Sequence, residues 1–416
     1  MTLLQELQTR GLITQASDLA QIQKQLSQSQ TVYCGFDATA SSLHIGHLVP
    51  LVLLKRFQDA GHRVIALVGG ATGMIGDPSF KTIERSLNAK EVVSDWAQEL
   101  MTQIECVLTP HLTKPMLILN NEDWMKEVNV IDFFREVGKH FSLNNMLKRE
   151  SVKQRLLRPD QGISFTEFSY GLLQSFDFTV LNRKYGCSIQ IGGNDQWGNI
   201  VNGIDLTRRL NDKQVFGFTL PLITKSDGTK FGKTESGTIW LDPNKTSPYM
   251  FYQFWLSVDD SDVYNLLRFY TFLSCDEIDL IAVKDKACNN KPKAQKILAQ
   301  HMTRFVHGDL GVLSAERISR ALFTGNIAKL SYSDLKQLEL DGLPSIESSQ
   351  QDIIELLVES KLAKSKRVAK ELIKDKAISA NGSKITSDDI QLGLPLTDNH
   401  WLIQRGKKHF CLIKRK

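Results

Sequence analysis

TVYCGFDATASSLHIGHLVPLVLLKRF, residues 31–57, reads as a buried strand, a polar turn and an apolar helix. The strand-like opening TVYCGF is rich in β-branched and aromatic residues, and the run LVPLVLL follows directly on a pair of histidines, His44 and His47, spaced i, i+3 around Ile-Gly. A metal on that pair would need a third or fourth ligand, and no segment rich in His or Cys stands near to supply one. In the first turn of a helix, free backbone N–H groups and the helix dipole already favour an anion, so two imidazoles there suit a phosphate. Gly46 leaves space for a flat base against the helix. From this composition an HxGH string is expected only ~0.01 times, so accident explains it poorly.

Working outward, VIALVGG (64–70), MLILN (116–120) and SIQIGG (188–193) repeat the strand pattern and alternate with longer helix-like stretches. That alternation predicts an α/β domain with a parallel sheet, whose ligands lie at the carboxyl ends of the strands. Each run ends in Gly, Asn or Asp. A chain of 416 residues exceeds what one core usually serves, so two or three domains are expected. Strand signals fade between about Pro248 and Gly325, where SDVYNLLRFYTFL and PKAQKILAQHMTRFVHG have helical spacing. The expected division is a catalytic domain over 1–235, a helical domain over 236–330, a polar Ser-rich linker over 331–350, and a short basic α+β module over 351–416.

The formal net charge of +5 is unevenly distributed. Residues 361–376 hold seven Lys/Arg against two acids and residues 401–416 hold six against none, which leaves the remainder mildly acidic. A basic end of that kind points to a polyanion. Six scattered cysteines with no CxxC pair argue against a zinc ribbon or a disulfide framework, and no apolar run approaches membrane-spanning length. The N-terminal stretch MTLLQELQTRGLITQ lacks the basic and apolar regions of a signal peptide, so a cytoplasmic location is expected.

KSDGTKFGKT (225–234) sets Lys230 and Lys233 around Phe-Gly, on a loop whose glycines would let it close on a polyphosphate. Alone, such a loop is more often a solvated turn. In SYGLLQSFD (169–177), Tyr170, Gln174 and Asp177 share one helix face. Three polar groups on one face fit either a solvated surface or a polar pocket. Asp77 in GDPS reads equally as a turn residue before Pro78.

Taken together, YCGFDATASSLHIGH (33–47), GGATGMIGDPSFK (69–81), SYGLLQSFD, IGGNDQWGN (191–199) and KFGKT (230–234) resemble the bacterial tyrosyl-tRNA synthetases, class I enzymes, over essentially the whole chain. KFGKT stands where other class I members have KMSKS. The resemblance implies a Rossmann-like catalytic domain, a helical anticodon-side domain and a small RNA-binding domain. It places Tyr33 and Asp177 at the phenol of tyrosine, Asp77, Tyr170 and Gln174 at its ammonium, and Gln196 at its carboxylate. Cys34, Asp37, Gly46, Gly192, Asp195 and Lys233 would face ATP. His44, His47, Lys230, Lys233 and Thr234 would carry the reaction, and Lys81 and Arg85 would meet pyrophosphate or the tRNA acceptor end. Lys364, Lys366, Arg367 and Lys370 resemble an RNA-binding module shared with a ribosomal protein. ATP with Mg²⁺, L-tyrosine and tRNA(Tyr) are the expected partners, with no structural metal and a homodimer for which 131–147 is an apolar candidate contact. Ala38 departs from the usual proline and is expected to loosen its loop.

Two other classes are weighed against this. Another HxGH nucleotidyltransferase would be favoured by a missing KFGKT loop or RNA module, and a non-catalytic RNA-binding protein by missing histidines or lysines. All are present. A tryptophan enzyme has a similar fold, but an aspartate-plus-tyrosine site suits a phenol better than an indole N–H, which only donates.

Overall fold

The computed structural model describes residues 1–79, 88–147, 152, 153, 156, 162–224, 231–234, 237–287, 293–386, 391–397 and 399–416. The chain divides into two compact units, Met1–Ile239 with Asp260–Pro292, and Trp240–Asp259 with Lys293–Lys416. The expected boundary near 235 therefore coincides with only one of several crossings. The helices Val263–Tyr270 and Cys275–Ala287, assigned from sequence to a second domain, belong to the first unit.

The first unit is built on six strands: β1 (Gln15–Ala16), β2 (Thr31–Asp37), β3 (Arg63–Gly69), β4 (Leu117–Asn120), β5 (Cys187–Gly193) and β6 (Phe216–Leu220). Their order is β1-β6-β5-β2-β3-β4, parallel throughout except for the short antiparallel edge strand β1. Val32, Tyr33, Cys34 and Phe36 of β2 and Val64–Val68 of β3 are buried, as befits strands covered on both faces. From β2 the chain winds one way to β3 and β4, and the return to β5 and β6 lies on the other side. That reversal between β2 and β5 is where an open parallel sheet leaves a crevice at its carboxyl edge.

Helices pack the sheet where the sequence pattern requires it. In Lys90–Leu108, Val93, Ala97, Leu100, Ile104 and Val107 form one buried stripe at three- and four-residue spacing. Ser164 caps the helix Phe165–Tyr185 by accepting from the Glu167 N–H, and Gly186 ends it in the left-handed conformation at φ 63°.

In the second unit the expected linker is ordered structure. Residues 331–350 contain the helix Tyr332–Gln337, a π-turn at Leu338–Gly342 and the strand Ser345–Ser348. Leu335 and Leu338 are buried in one cluster with Tyr249, Ile318, Leu402 and Leu412. Asp341 accepts from the N–H (2.8 Å) and hydroxyl (2.6 Å) of Ser247, at the start of the helix Pro248–Leu256. A five-stranded sheet joins Ser345–Ser348 in parallel to the hairpin His400–Arg405/His409–Arg415. The polar composition concealed two leucines and a capping carboxylate that bind this stretch to the elements on either side.

Candidate active site

The carboxyl ends of β2 and β5 open into a cleft of about 490 Å³. Tyr33, Cys34, Asp37, His44, Gly46, His47, Asp77, Tyr170, Gln174, Asp177, Gly192, Asp195 and Gln196, all singled out from sequence, line it. Five others have no described side chain. Lys81, Arg85 and Lys230 lie outside the described residues, and for Lys233 and Thr234 only the backbone is described.

One end is apolar and almost sealed. Tyr33 is 1% exposed, with its ring centroid 5.2 Å from that of Phe178, and its hydroxyl has no hydrogen-bond partner among the described residues. Asp177 is 2% exposed. Its Oδ1 accepts from Trp124 Nε1 at 2.8 Å and its Oδ2 from Asn121 Nδ2 at 3.0 Å. Burial drives its pKa from 3.8 up to about 7, against the pull of those two donors. Burial, then the charge of Asp177, also holds the Tyr33 phenol well above its usual value and so protonated. A carboxylate and a hydroxyl with spare hydrogen-bonding capacity in an apolar slot suit a ligand hydroxyl that donates to one and accepts from the other.

Further along lies an acceptor cluster. Tyr170 donates to Asp37 Oδ2 at 2.8 Å, and Thr72 donates to Asp37 Oδ1 at 2.7 Å. Asp77 Oδ1 accepts from the Ser79 N–H at 3.0 Å, so the turn reading also holds. Its Oδ2 accepts from Gln196 Nε2 at 2.6 Å, which directs the Gln196 amide onto Asp77. The buried Gln174 Oε1 has no partner among the described residues. These oxygens together suit a bound ammonium.

The opposite end is made by the histidine turn. His44 Nδ1 caps Ile45–His47 by accepting from the Gly46 N–H at 3.0 Å, and His47 Nδ1 accepts from the His44 N–H at 3.1 Å. With both Nδ1 atoms accepting, each neutral ring carries its proton on Nε2 and is a donor there. Burial, then neighbouring His44, lowers the His47 pKa well below 6.5, so that ring is an uncharged donor at neutral pH. A Cβ on Gly46 would lie 2.8 Å from His44 Cε1, so the turn requires glycine as well as leaving space over the helix.

The lysine loop meets this turn through its backbone. The Ile45 N–H donates to the Ile239 carbonyl (3.1 Å), and the Ile239 N–H to the Gly232 carbonyl (3.3 Å). Gly232 has φ +91°, and a Cβ there would lie 3.2 Å from Ile45 Cγ2. The Lys233–Thr234 backbone then pairs with Gly237–Thr238. Ala38 is buried and its N–H donates to the Gly69 carbonyl at 3.3 Å, a bond that proline could not make.

Sequence reasoning missed Thr72, Asn121, Trp124 and Tyr270. Asn121 and Trp124 directly follow the strand run MLILN, so the rule that sites gather at strand ends could have found them. Away from the cleft, Ile131 is 68% and Leu143 63% exposed, and the helix Val130–Glu136 buries none of its residues, although Val137 and Met146 of the same segment are buried. In the second unit, Ser365 caps the helix Lys366–Lys374, where Lys366 pairs with Glu355 and Arg367 with Glu371 at 3.2 Å. Lys364 and Lys370 are exposed.

Comparison with known proteins gives the same picture at family level. The profile of tRNA synthetases class I (W and Y) matches residues 24–324, and that of the tyrosine-tRNA ligase SYY-like C-terminal domain matches 334–413. The chain is 70% identical over 413 residues to a tyrosine-tRNA ligase 1 of Vibrio parahaemolyticus and 63% identical over 414 to one of Pseudoalteromonas translucida, each covering 99% of both chains. Among solved structures, a C-terminally truncated mitochondrial tyrosyl-tRNA synthetase of Aspergillus nidulans matches with TM-score 0.70 and 28% identity, covering 77% of this chain and 94% of that one.

Proposed function

Because the chain belongs to the class I tRNA synthetases that act as tyrosine-tRNA ligases, it activates tyrosine with ATP and charges tRNA, and we propose that the described cleft does so with the residues named above. Tyrosine enters phenol first. Its hydroxyl donates to Asp177 and accepts from Tyr33, and phenylalanine would leave both polar groups buried and unpaired. Asp77, Tyr170 and Gln174 take the ammonium. Gln196 acts through Asp77, fixing that carboxylate, as well as lying beside the substrate carboxylate.

The tyrosine carboxylate attacks the α-phosphorus of ATP, and the bond to the β-phosphate oxygen breaks, giving tyrosyl-adenylate and pyrophosphate. A carboxylate is already a nucleophile, so no general base is required. The work is positioning, together with stabilising charge on the departing phosphates. His44 and His47 present Nε2–H donors, Lys230 and Lys233 supply positive charge from the loop whose Gly232 rests on Ile45, and Thr234 adds a hydroxyl. Mg²⁺ enters on the ATP phosphates. Cys34, Asp37, Gly46, Gly192 and Asp195 line the nucleotide side, and Lys81 and Arg85 are proposed for pyrophosphate or the acceptor end. A ribose hydroxyl of the terminal adenosine of tRNA then attacks the adenylate carbonyl, and AMP leaves.

Lys364, Lys366, Arg367 and Lys370 are proposed to contact tRNA phosphates. The ion pairs of Lys366 and Arg367 are exposed and therefore weak enough to be exchanged for phosphates. The exposed apolar side chains Val130, Ile131, Phe134, Leu143 and Leu147 are proposed as a contact with a second copy of the chain. The cytoplasm, where the tRNA substrate is found, is the proposed compartment.

The observation that carries this reading is one cleft with a phenol site at one end and two imidazole donors beside the lysine loop at the other. Pyrophosphate exchange measured with each of the twenty amino acids tests it. Exchange with tyrosine alone is expected. Comparable exchange with phenylalanine, or none with tyrosine, would overturn it.

A further inference from the structure

The turn that brings Asp195 and Gln196 into the cleft has no cap of its own. It spans Asn194–Gln196 and joins β5 to the helix Trp197–Asn211. Gly193 stands at its start, and a Cβ there would lie 2.4 Å from Asp195 Oδ1. The Asp195 carboxylate is therefore folded back over the strand end, an approach that any side chain at 193 would block. The same glycine has nothing with which to accept from the free N–H groups of the turn, which is how such an end is usually fixed. Gln196, at the start of the following helix, makes no side-chain cap either.

What fixes the turn comes from the other end of the first unit. Gln15 Nε2 donates to Asn194 Oδ1 at 2.7 Å across 179 positions, and the Thr219 hydroxyl donates to the same oxygen at 3.2 Å. Thr219 Oγ1 accepts in turn from the Gln15 N–H at 3.1 Å, which closes a triangle between β1, β6 and the end of β5. Thr219 is buried and stands opposite Gln15 in the antiparallel pairing of β1 with β6. Although β1 has only two residues, both flanks are tied to β6: the Thr14 N–H donates to the Thr219 carbonyl at 2.8 Å and the Ser17 N–H to the Gly217 carbonyl at 3.0 Å. On the far side of the turn Gln196 donates to Asp77, and Asn199 Nδ2 donates to Gln196 Oε1 at 3.3 Å. Asp195 is thus held between two pinned neighbours.

We propose that Gln15 is a positioning residue for Asp195, acting through Asn194, and that it sets how well the cleft tells a ribose from a deoxyribose. The inference rests on the reading of Asp195 as a nucleotide residue. A carboxylate accepts strongly from ribose hydroxyls and has no such bond to make with a carbon that has lost one. Gln15 is not among the described residues lining the cleft, so it acts only through the turn. Its loss affects the nucleotide and spares tyrosine, whose phenol and ammonium meet Tyr33, Asp177, Tyr170 and Gln174.

The test uses the full chain and tyrosine-dependent pyrophosphate exchange with ATP, 2′-deoxyATP or 3′-deoxyATP. Wild type is compared with Gln15→Met, which keeps the length and loses the donor, and with Gln15→Lys, which keeps a donor. Asn194→Ala, its double variant with Gln15→Met, and Asp195→Ala complete the set. In Gln15→Met the KM for ATP is expected to rise about three- to tenfold while that for tyrosine stays within about twofold. Its preference for ATP over the poorer deoxy analogue, taken as a ratio of kcat/KM, should fall by about threefold or more, a change that lost stability alone does not produce. Gln15→Lys should recover most of both. The double variant should match Asn194→Ala to within about twofold. A smaller fall in preference for Gln15→Met, or losses that multiply in the double variant, would overturn the proposal. Asn194→Ala reads the same coupling from the other partner, so an unchanged preference there is equally fatal even if Gln15→Met does not fold. Asp195→Ala separates the failures. If it keeps the preference, or wild type has none, the reading of Asp195 falls; if it loses the preference while Gln15→Met keeps it, the role of Gln15 alone falls.

Discussion

Asp177 makes tyrosine binding depend on pH in a calculable way. Burial raises its pKa to about 7 in the unliganded protein, and the ionised form is much the stronger acceptor for the substrate phenol. The ionised fraction is about nine-tenths at pH 8 and about one-tenth at pH 6, and apparent affinity scales with that fraction. Tyrosine should therefore bind more weakly at pH 6 than at pH 8, by up to about tenfold or ~1.4 kcal/mol. His47 does not confuse this window, because its pKa lies well below 6.5. Equilibrium dialysis of labelled tyrosine at the two pH values measures the effect, with Asp177→Asn as the control that should bind weakly and equally at both. A wild-type Kd within twofold across that range, or an Asn variant that keeps the slope, would refute the assignment. The same displacement affects stability with the opposite sign from a salt-bridged carboxylate. The folded state holds the proton more tightly than the unfolded chain, so its contribution is present below pH 4 and is lost as pH rises to about 7, up to ~4 kcal/mol in all.

Three further outcomes follow from the same geometry. Tyr33→Phe removes a buried hydroxyl that has no partner among the described residues, so tyrosine affinity should fall by ~0.5–1.5 kcal/mol in a binding titration, while Tm holds or rises. Gly232→Ala puts a side chain at φ +91° against Ile45, a strain of ~1–3 kcal/mol, and in stopped-flow it should slow adenylate formation about tenfold or more with tyrosine binding unchanged. Reversing Lys366 and Lys370 to Glu should weaken tRNA charging and flatten its salt dependence by up to about two phosphate contacts, with pyrophosphate exchange unaffected.

What could be read in the sequence was what lies close together along the chain. The strands after Gln30, Gly61 and Gly186 were visible as β-branched runs, and the histidine turn as a short motif opening a helix. The helix face carrying Tyr170, Gln174 and Asp177 was visible as spacing, although a solvated face has the same spacing; only the apolar wall around Asp177 distinguishes the two. Residues joined through the fold left no local signal. Trp124 and Asn121 reach Asp177 across more than fifty positions, and Tyr270 reaches Phe231 from a segment that returns to the first unit after leaving it. The stretch 331–350 misled for a related reason. Its serines suggested solvent, but Ser331 is a helix cap and Asp341 holds the start of another helix.

The central claim, that the lysine loop and the histidine turn act on one triphosphate while the phenol site only holds tyrosine, is tested most directly by rapid-quench measurement of adenylate formation in Lys233→Ala alongside its tyrosine Kd. The rate should fall about a hundredfold or more with the Kd within twofold of wild type, because the lost contact belongs to the transition state. Equal losses in rate and binding, or no loss in rate, would contradict it.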